Sequence, residues 1–71
     1  MDWDSVRGKW GRLRGYLRVR WAKLTDEDLK EIAAKRDRLV TKIQERYGVL
    51  RDDAERQVDE WVAHLQRSSD L

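Results

Sequence analysis

Lys35 to Gly48, read as KRDRLVTKIQERYG, is the stretch whose pattern decides the fold. At helical periodicity Leu39, Val40, Ile43 and Tyr47 share one face, and Gly48 follows as a residue suited to the left-handed turn that closes a helix. A helix with one apolar face must bury it against neighbours. The segments on both sides are patterned to supply them.

Upstream, Thr25 is an N-cap residue followed by Asp26, Glu27 and Asp28, acids placed where the helix dipole favours them. Leu29, Ile32 and Ala33 continue a buried face. An unbroken helix from Asp26 to Tyr47 would set Arg36 in the centre of the apolar stripe, where a charge without a partner is rarely found. The pattern therefore favours a bend or short break near Ala34 to Arg36, with Arg36 at the surface or the junction. No glycine or proline marks the spot, so a continuous helix also satisfies the local signals.

Downstream, Leu50, Ala54, Val58, Trp61 and Leu65 fall on one side of a last helix whose first turn carries Asp52 and Asp53. At the other end, Trp3, Val6, Trp10, Leu13, Leu17, Trp21 and Leu24 lie within an arc of about 80°, which predicts one helix over residues 3–24. Gly8, Gly11 and Gly15 cluster opposite, each costing about 0.8–1 kcal/mol relative to alanine. Proline is absent and three of the four glycines precede residue 16, so hairpin turns are scarcely encoded. The expectation is an all-α fold, a compact bundle of three to four short helices. It forms a single domain over residues 1–66, followed by a disordered polar tail at 67–71.

Seventy-one residues are close to the lower limit for one hydrophobic core. Cysteine is absent, so neither a disulfide nor a thiolate metal site can reinforce the core, and four tryptophans supply apolar area instead. No apolar run approaches the roughly 18 residues of a membrane span. Met1-Asp2-Trp3-Asp4 lacks the basic start and apolar centre of a signal peptide. A soluble cytoplasmic protein is expected, and a monomer.

Three segments carry a family pattern. They are Trp10 with Trp21-x-Lys23-Leu24-Thr25-Asp26-x-Asp28, then Lys35-Arg36-Asp37-x-Leu39-Val40-x-Lys42-Ile43-Gln44-Glu45-Arg46-Tyr47-Gly48, then Ala54-Glu55-x-Gln57-Val58-Asp59-Glu60-Trp61. Together they resemble the CsbD-like proteins, small bacterial proteins linked to general stress responses, over residues 3–61. The resemblance implies four short helices arranged as two helical hairpins, similar to SAM-like domains, and so supports the break near Ala34. Glycine is usual in that family where Ala34 and Thr41 stand, and a polar cap where Leu50 stands. A straighter middle helix and a less sharply started last helix are the corresponding expectations. The family has no established biochemical mechanism, so the resemblance brings no active-site residue.

The residues themselves offer little chemistry. His64 is the single imidazole, and a nucleophile for it would have to be Ser5, Ser68 or Ser69, near the chain ends. The acids at Asp26 to Asp28 and at Asp52 and Asp53 lack calcium-loop spacing and are explained as helix-start residues. Gly8-x-x-Gly11-x-x-x-Gly15 follows no strand and is no phosphate loop. No catalytic, cofactor-binding or metal-ligating residue is expected.

Charge is segregated more sharply than anything else. Arg7, Lys9, Arg12, Arg14, Arg18, Arg20 and Lys23 occur without an intervening acid, and since the whole chain is +2 the remainder carries −5. The bland reading is a solvated face whose field is answered by Asp52, Asp53, Glu55, Asp59 and Glu60 on the last helix. A second is a helix that meets phosphates, and a third is contact with anionic membrane. Trp10 and Trp21 share the buried stripe and so cannot stack on bases, which leaves Trp3 as the best candidate for an exposed aromatic. The expected protein is a non-enzymatic, stress-associated helical domain acting by abundance or through an unidentified partner. The alternative is weak, sequence-independent nucleic-acid binding through those seven bases.

Overall fold

Five helices make up residues 3–67, the part described by the computed structural model: α1 (Trp3–Gly8), α2 (Trp10–Arg20), α3 (Asp26–Ile32), α4 (Arg36–Tyr47) and α5 (Arg51–Arg67). The fold is all-helical as expected, with five helices where three to four were read. Arg67 closes α5, so of the expected tail residues 68–71 lie outside the described part.

The fifth helix arises because residues 3–24 do not form one continuous helix. Lys9 interrupts it with φ −112° and ψ 17°, and α2 restarts with the Arg12 and Leu13 amides donating to the Lys9 carbonyl at 3.0 and 2.9 Å. Gly8 is where the break is easiest, because glycine gains least from helical order. The far end also departs from the stripe. Trp21 leaves the helix at φ −124°, ψ 82°, yet it and Leu24 are 1% exposed. They reach the core from an irregular segment, where the Trp21 indole packs edge-on to Trp61 at 5.7 Å and donates to Gln57 Oε1 at 3.0 Å.

Thr25 caps α3 as its position implied. Its Oγ1 accepts from the Asp28 amide and the Asp28 carboxylate accepts from the Thr25 amide, both at 3.1 Å, a reciprocal capping box. The break between α3 and α4 falls where Arg36 required it. Ala33 (φ 49°) and Ala34 (φ 62°) are both left-handed, and Arg36 becomes the first residue of α4, ion-paired with Asp59 at 2.8 Å. Gly48, at φ 65°, closes α4 with its amide on the Gln44 carbonyl at 2.9 Å.

Two placements differ from the sequence reading. Leu50 is 74% exposed and outside the apolar stripe of α5, because it sits where a cap would, with its carbonyl accepting from Ala54 at 2.9 Å. Trp3 is half-buried, since its indole donates to the Ala34 carbonyl at 2.7 Å and its ring tilts against Trp10. The exposed aromatic is Tyr16 instead.

The core is one cluster drawn from every helix, running from Val6 through Leu13, Leu17, Ile32, Leu39 and Ile43 to Val58 and Leu65. α4 packs against both α3 and α5, so the Lys35 to Gly48 stretch is the central layer. The inner side of α2 is pinned by Leu13 and Leu17, which turns its charged side outward.

Candidate functional site

The exposed side of α2 carries Gly11, Gly15 and most of the bases, with Gly8 at the end of α1 beside it. A Cβ placed on Gly8, Gly11 or Gly15 would meet nothing within 4 Å, so packing within this chain does not require glycine at any of them. Two shallow hollows meet at Gly11. One is lined by Gly8, Lys9, Gly11 and Arg12, and the other by Gly11, Arg14, Gly15, Arg18, Asp26 and Lys30 with Leu29 beneath. Sharing Gly11, they form a trough that reaches from α2 to α3.

The seven bases read from the sequence do not act alike. Arg7 pairs with Asp4 one turn away at 3.2 Å, and Arg18 pairs with Asp26 of α3 at 2.9 Å. Arg20 lies over the Trp21 ring and Lys23 over the Tyr47 ring, each 5.0 Å from the centroid. Such stacking holds a cation against its own protein. Arg12 and Arg14 form no ion pair among the described residues, and both line the trough with Lys9. Three of the α5 acids are paired with bases outside this face. Asp53 and Glu55 pair with Arg56 and Arg51 of their own helix, and Asp59 with Arg36. Lys30 lies seven residues beyond Lys23, among acids, and only the tertiary fold brings it beside Arg14 and Arg18.

A second charged cluster ties α3 to α4. Asp28 is 2% exposed and accepts both Nε and Nη2 of Arg46, at 2.9 and 2.8 Å, as a fork. Lys42 stands 3.7 Å from the same carboxylate and bridges to Glu31 and Glu45. The Arg46 hydrogen bonds hold Asp28 down at about 2, from the usual 3.8, against the upward pull of burial. Read from the sequence as a helix-start acid, Asp28 is also this buried tie, and no local pattern announces a partner on the next helix. A carboxylate so firmly ionised and so held by Arg46 ties α3 to α4. His64 is exposed on α5, beside Tyr16, Val19 and Arg20 in a separate hollow. Among the described residues no group of three or more acids, histidines or cysteines is placed to hold a metal, and no helix is long and apolar enough to cross a membrane.

No family model matches the chain. Curated relatives do. The UPF0337 protein YjbJ of Escherichia coli O6:H1 is 49% identical over 61 residues, covering 86% of this chain and 88% of that protein. UPF0337 proteins of Pectobacterium atrosepticum and Rhodopseudomonas palustris are 45% identical over 64 residues and 44% over 65, covering 93% and 98% of their own lengths. The chain belongs to the UPF0337 family.

Matches of this length make the UPF0337 chain similar to its relatives across nearly their whole extent, with no large additional domain in them. Their names carry a family designation and no activity, so what this UPF0337 protein does has to be argued from its own residues.

Proposed function

We propose that this chain is a non-enzymatic, cytoplasmic, monomeric protein of the CsbD-like general-stress type, and that it acts by engaging a partner with the outer side of α2. The stress context rests on the resemblance of its three segments to CsbD-like proteins. The partner-binding part is carried by one observation: a helix side with two arginines that form no ion pair among the described residues and two glycines that internal packing does not need. Such a side has no task inside the domain. The test is genetic. A strain lacking the gene is challenged by osmotic, heat and stationary-phase stress, then complemented with wild type or with Arg12→Gln/Arg14→Gln/Arg18→Gln. Rescue by wild type alone supports action through α2, equal rescue by both points to action by abundance, and an unimpaired deletion strain counts against the stress role.

Nucleic acid is the second reading, favoured by the concentration of charge. The run from Arg7 to Lys23 holds seven bases and no acid, and backbone phosphates are the commonest polyanion such a surface meets in a cytoplasm. Binding would be independent of base sequence, as contacts to backbone phosphates are. Titration with mixed duplex and single-stranded DNA and RNA from low to physiological salt tests it. Affinity that falls steeply with salt supports the reading, and no binding at low salt ends it.

A further inference from the structure

We infer that the phosphate-binding surface is the α2–α3 trough, built by Arg12, Arg14, Arg18 and Lys30, and that its ligand is the phosphodiester backbone of a nucleic acid. This rests on the nucleic-acid reading above and narrows it. Arg7, Arg20 and Lys23 of the run fall outside the trough, and a base from another helix enters it.

The sorting comes from what each cation already touches. Arg7 is answered by Asp4, while Arg20 and Lys23 lie over their own protein's rings. Moving either of the last two onto a phosphate would forfeit an aromatic contact. Arg14 and Arg12 have no such claim among the described residues. Arg18 gives one Nη to Asp26, but a guanidinium has five N–H donors, so a phosphate can be accepted beside that carboxylate. Lys30 completes the far wall. Between these bases the floor is Gly11 and Gly15, where no side chain stands between the backbone of α2 and an incoming strand.

Length agrees with the chemistry. From Arg12 to Arg18 α2 rises about 9 Å at 1.5 Å per residue. That spans about three nucleotide steps of a duplex strand, at about 3.4 Å of axial rise each. About three phosphates can be neutralised along it, which gives a salt slope of about −3 for duplex DNA. The charge pattern selects against a second copy of this chain as occupant, since two such troughs would face each other base to base. The one acid in the trough, Asp26, works against an anionic ligand, so removing it should tighten binding.

The decisive experiment rests on two double variants of equal net charge. Short mixed-sequence duplex and single-stranded DNA are titrated at several salt concentrations with wild type, Arg14→Gln/Lys30→Gln, Arg20→Gln/Lys23→Gln and Asp26→Asn, each checked for folding by circular dichroism. The trough predicts that the Arg14/Lys30 pair loses about tenfold in affinity and about two units of salt slope. The Arg20/Lys23 pair should stay close to wild type, and Asp26→Asn should bind severalfold more tightly. Equal losses in the two pairs would overturn the trough while leaving nucleic-acid binding intact. No binding by wild type at low salt would remove both. Binding to vesicles rich in anionic lipid, with none to nucleic acid, would reassign the surface to a membrane.

Discussion

Two alanines in sequence hold the left-handed conformation that a glycine adopts cheaply, and they hold it where one helix must stop. Ala33 and Ala34, at φ 49° and 62°, each carry a cost of about 1–2 kcal/mol that a residue without Cβ avoids. Ala33 is exposed, so losing its methyl forfeits no packing. Ala33→Gly should therefore raise stability by about 0.5–1 kcal/mol in urea unfolding, after the extra unfolded-state entropy of glycine is offset. Gly48→Ala, at φ 65°, should lower it by about 1 kcal/mol in the same assay. Asp28 supplies the other residue-scale prediction. Its pKa is lowered in the folded protein, so the stability it contributes is complete above the unfolded value of 3.8 and is lost as pH falls toward about 2. Since Arg46 is half exposed, the contribution is about 2 kcal/mol, below the figure for a fully buried pair. Acid titration of stability should show a loss of that size from pH about 5 downward. In Asp28→Asn that acid-dependent part should be missing and stability at neutral pH already lower.

At the scale of elements, α2 is a helix made weaker than it needs to be. Gly11 and Gly15 have open space where a Cβ would go, and each lowers helix stability by about 0.8–1 kcal/mol relative to alanine. Gly11→Ala/Gly15→Ala should raise the urea midpoint by the equivalent of about 1.5–2 kcal/mol without disturbing the core. An unchanged or lowered midpoint would mean that the backbone near Lys9 requires one of them. The neighbouring elements are held by side-chain hydrogen bonds to backbone: the Trp3 indole on the Ala34 carbonyl, and the Tyr47 hydroxyl accepting from the Lys23 amide at 3.0 Å. Each fastens an end of the α1–α2 pair to the turn or the end of a later helix.

For the molecule as a whole, stability depends on α4. Its inner residues Leu39, Val40 and Ile43 are fully buried, between α3 on one side and α5 on the other. A chain of this length has about 4–10 kcal/mol of total stability. Ile43→Ala should cost about 2–5 kcal/mol, enough to leave a large unfolded fraction by circular dichroism at ambient temperature. The same loss at Val19, which is 83% exposed, should be within about 0.5 kcal/mol. Charge is arranged on the same scale. The trough gathers bases from α2 and α3, while Asp53 and Glu55 of α5 are engaged on their own helix and Asp59 on α4.

What could be read from the residues alone were the features that local physics decides. Apolar spacing fixes the faces of α4 and α5, Thr25 and Gly48 mark an entry and an exit, and the misfit of Arg36 in an apolar stripe locates a break that no glycine announces. The seven-base run was equally plain. Only the tertiary structure decided that Lys23 lies over Tyr47 and that Arg18 pairs with Asp26, because those partners come from other elements. It alone joined Lys30 to Arg14 and Asp28 to Arg46, and it turned Trp3 inward onto a carbonyl 31 residues away. Periodicity reports which way a side chain points; what it meets depends on the packing of helices, and that is a property of the whole chain.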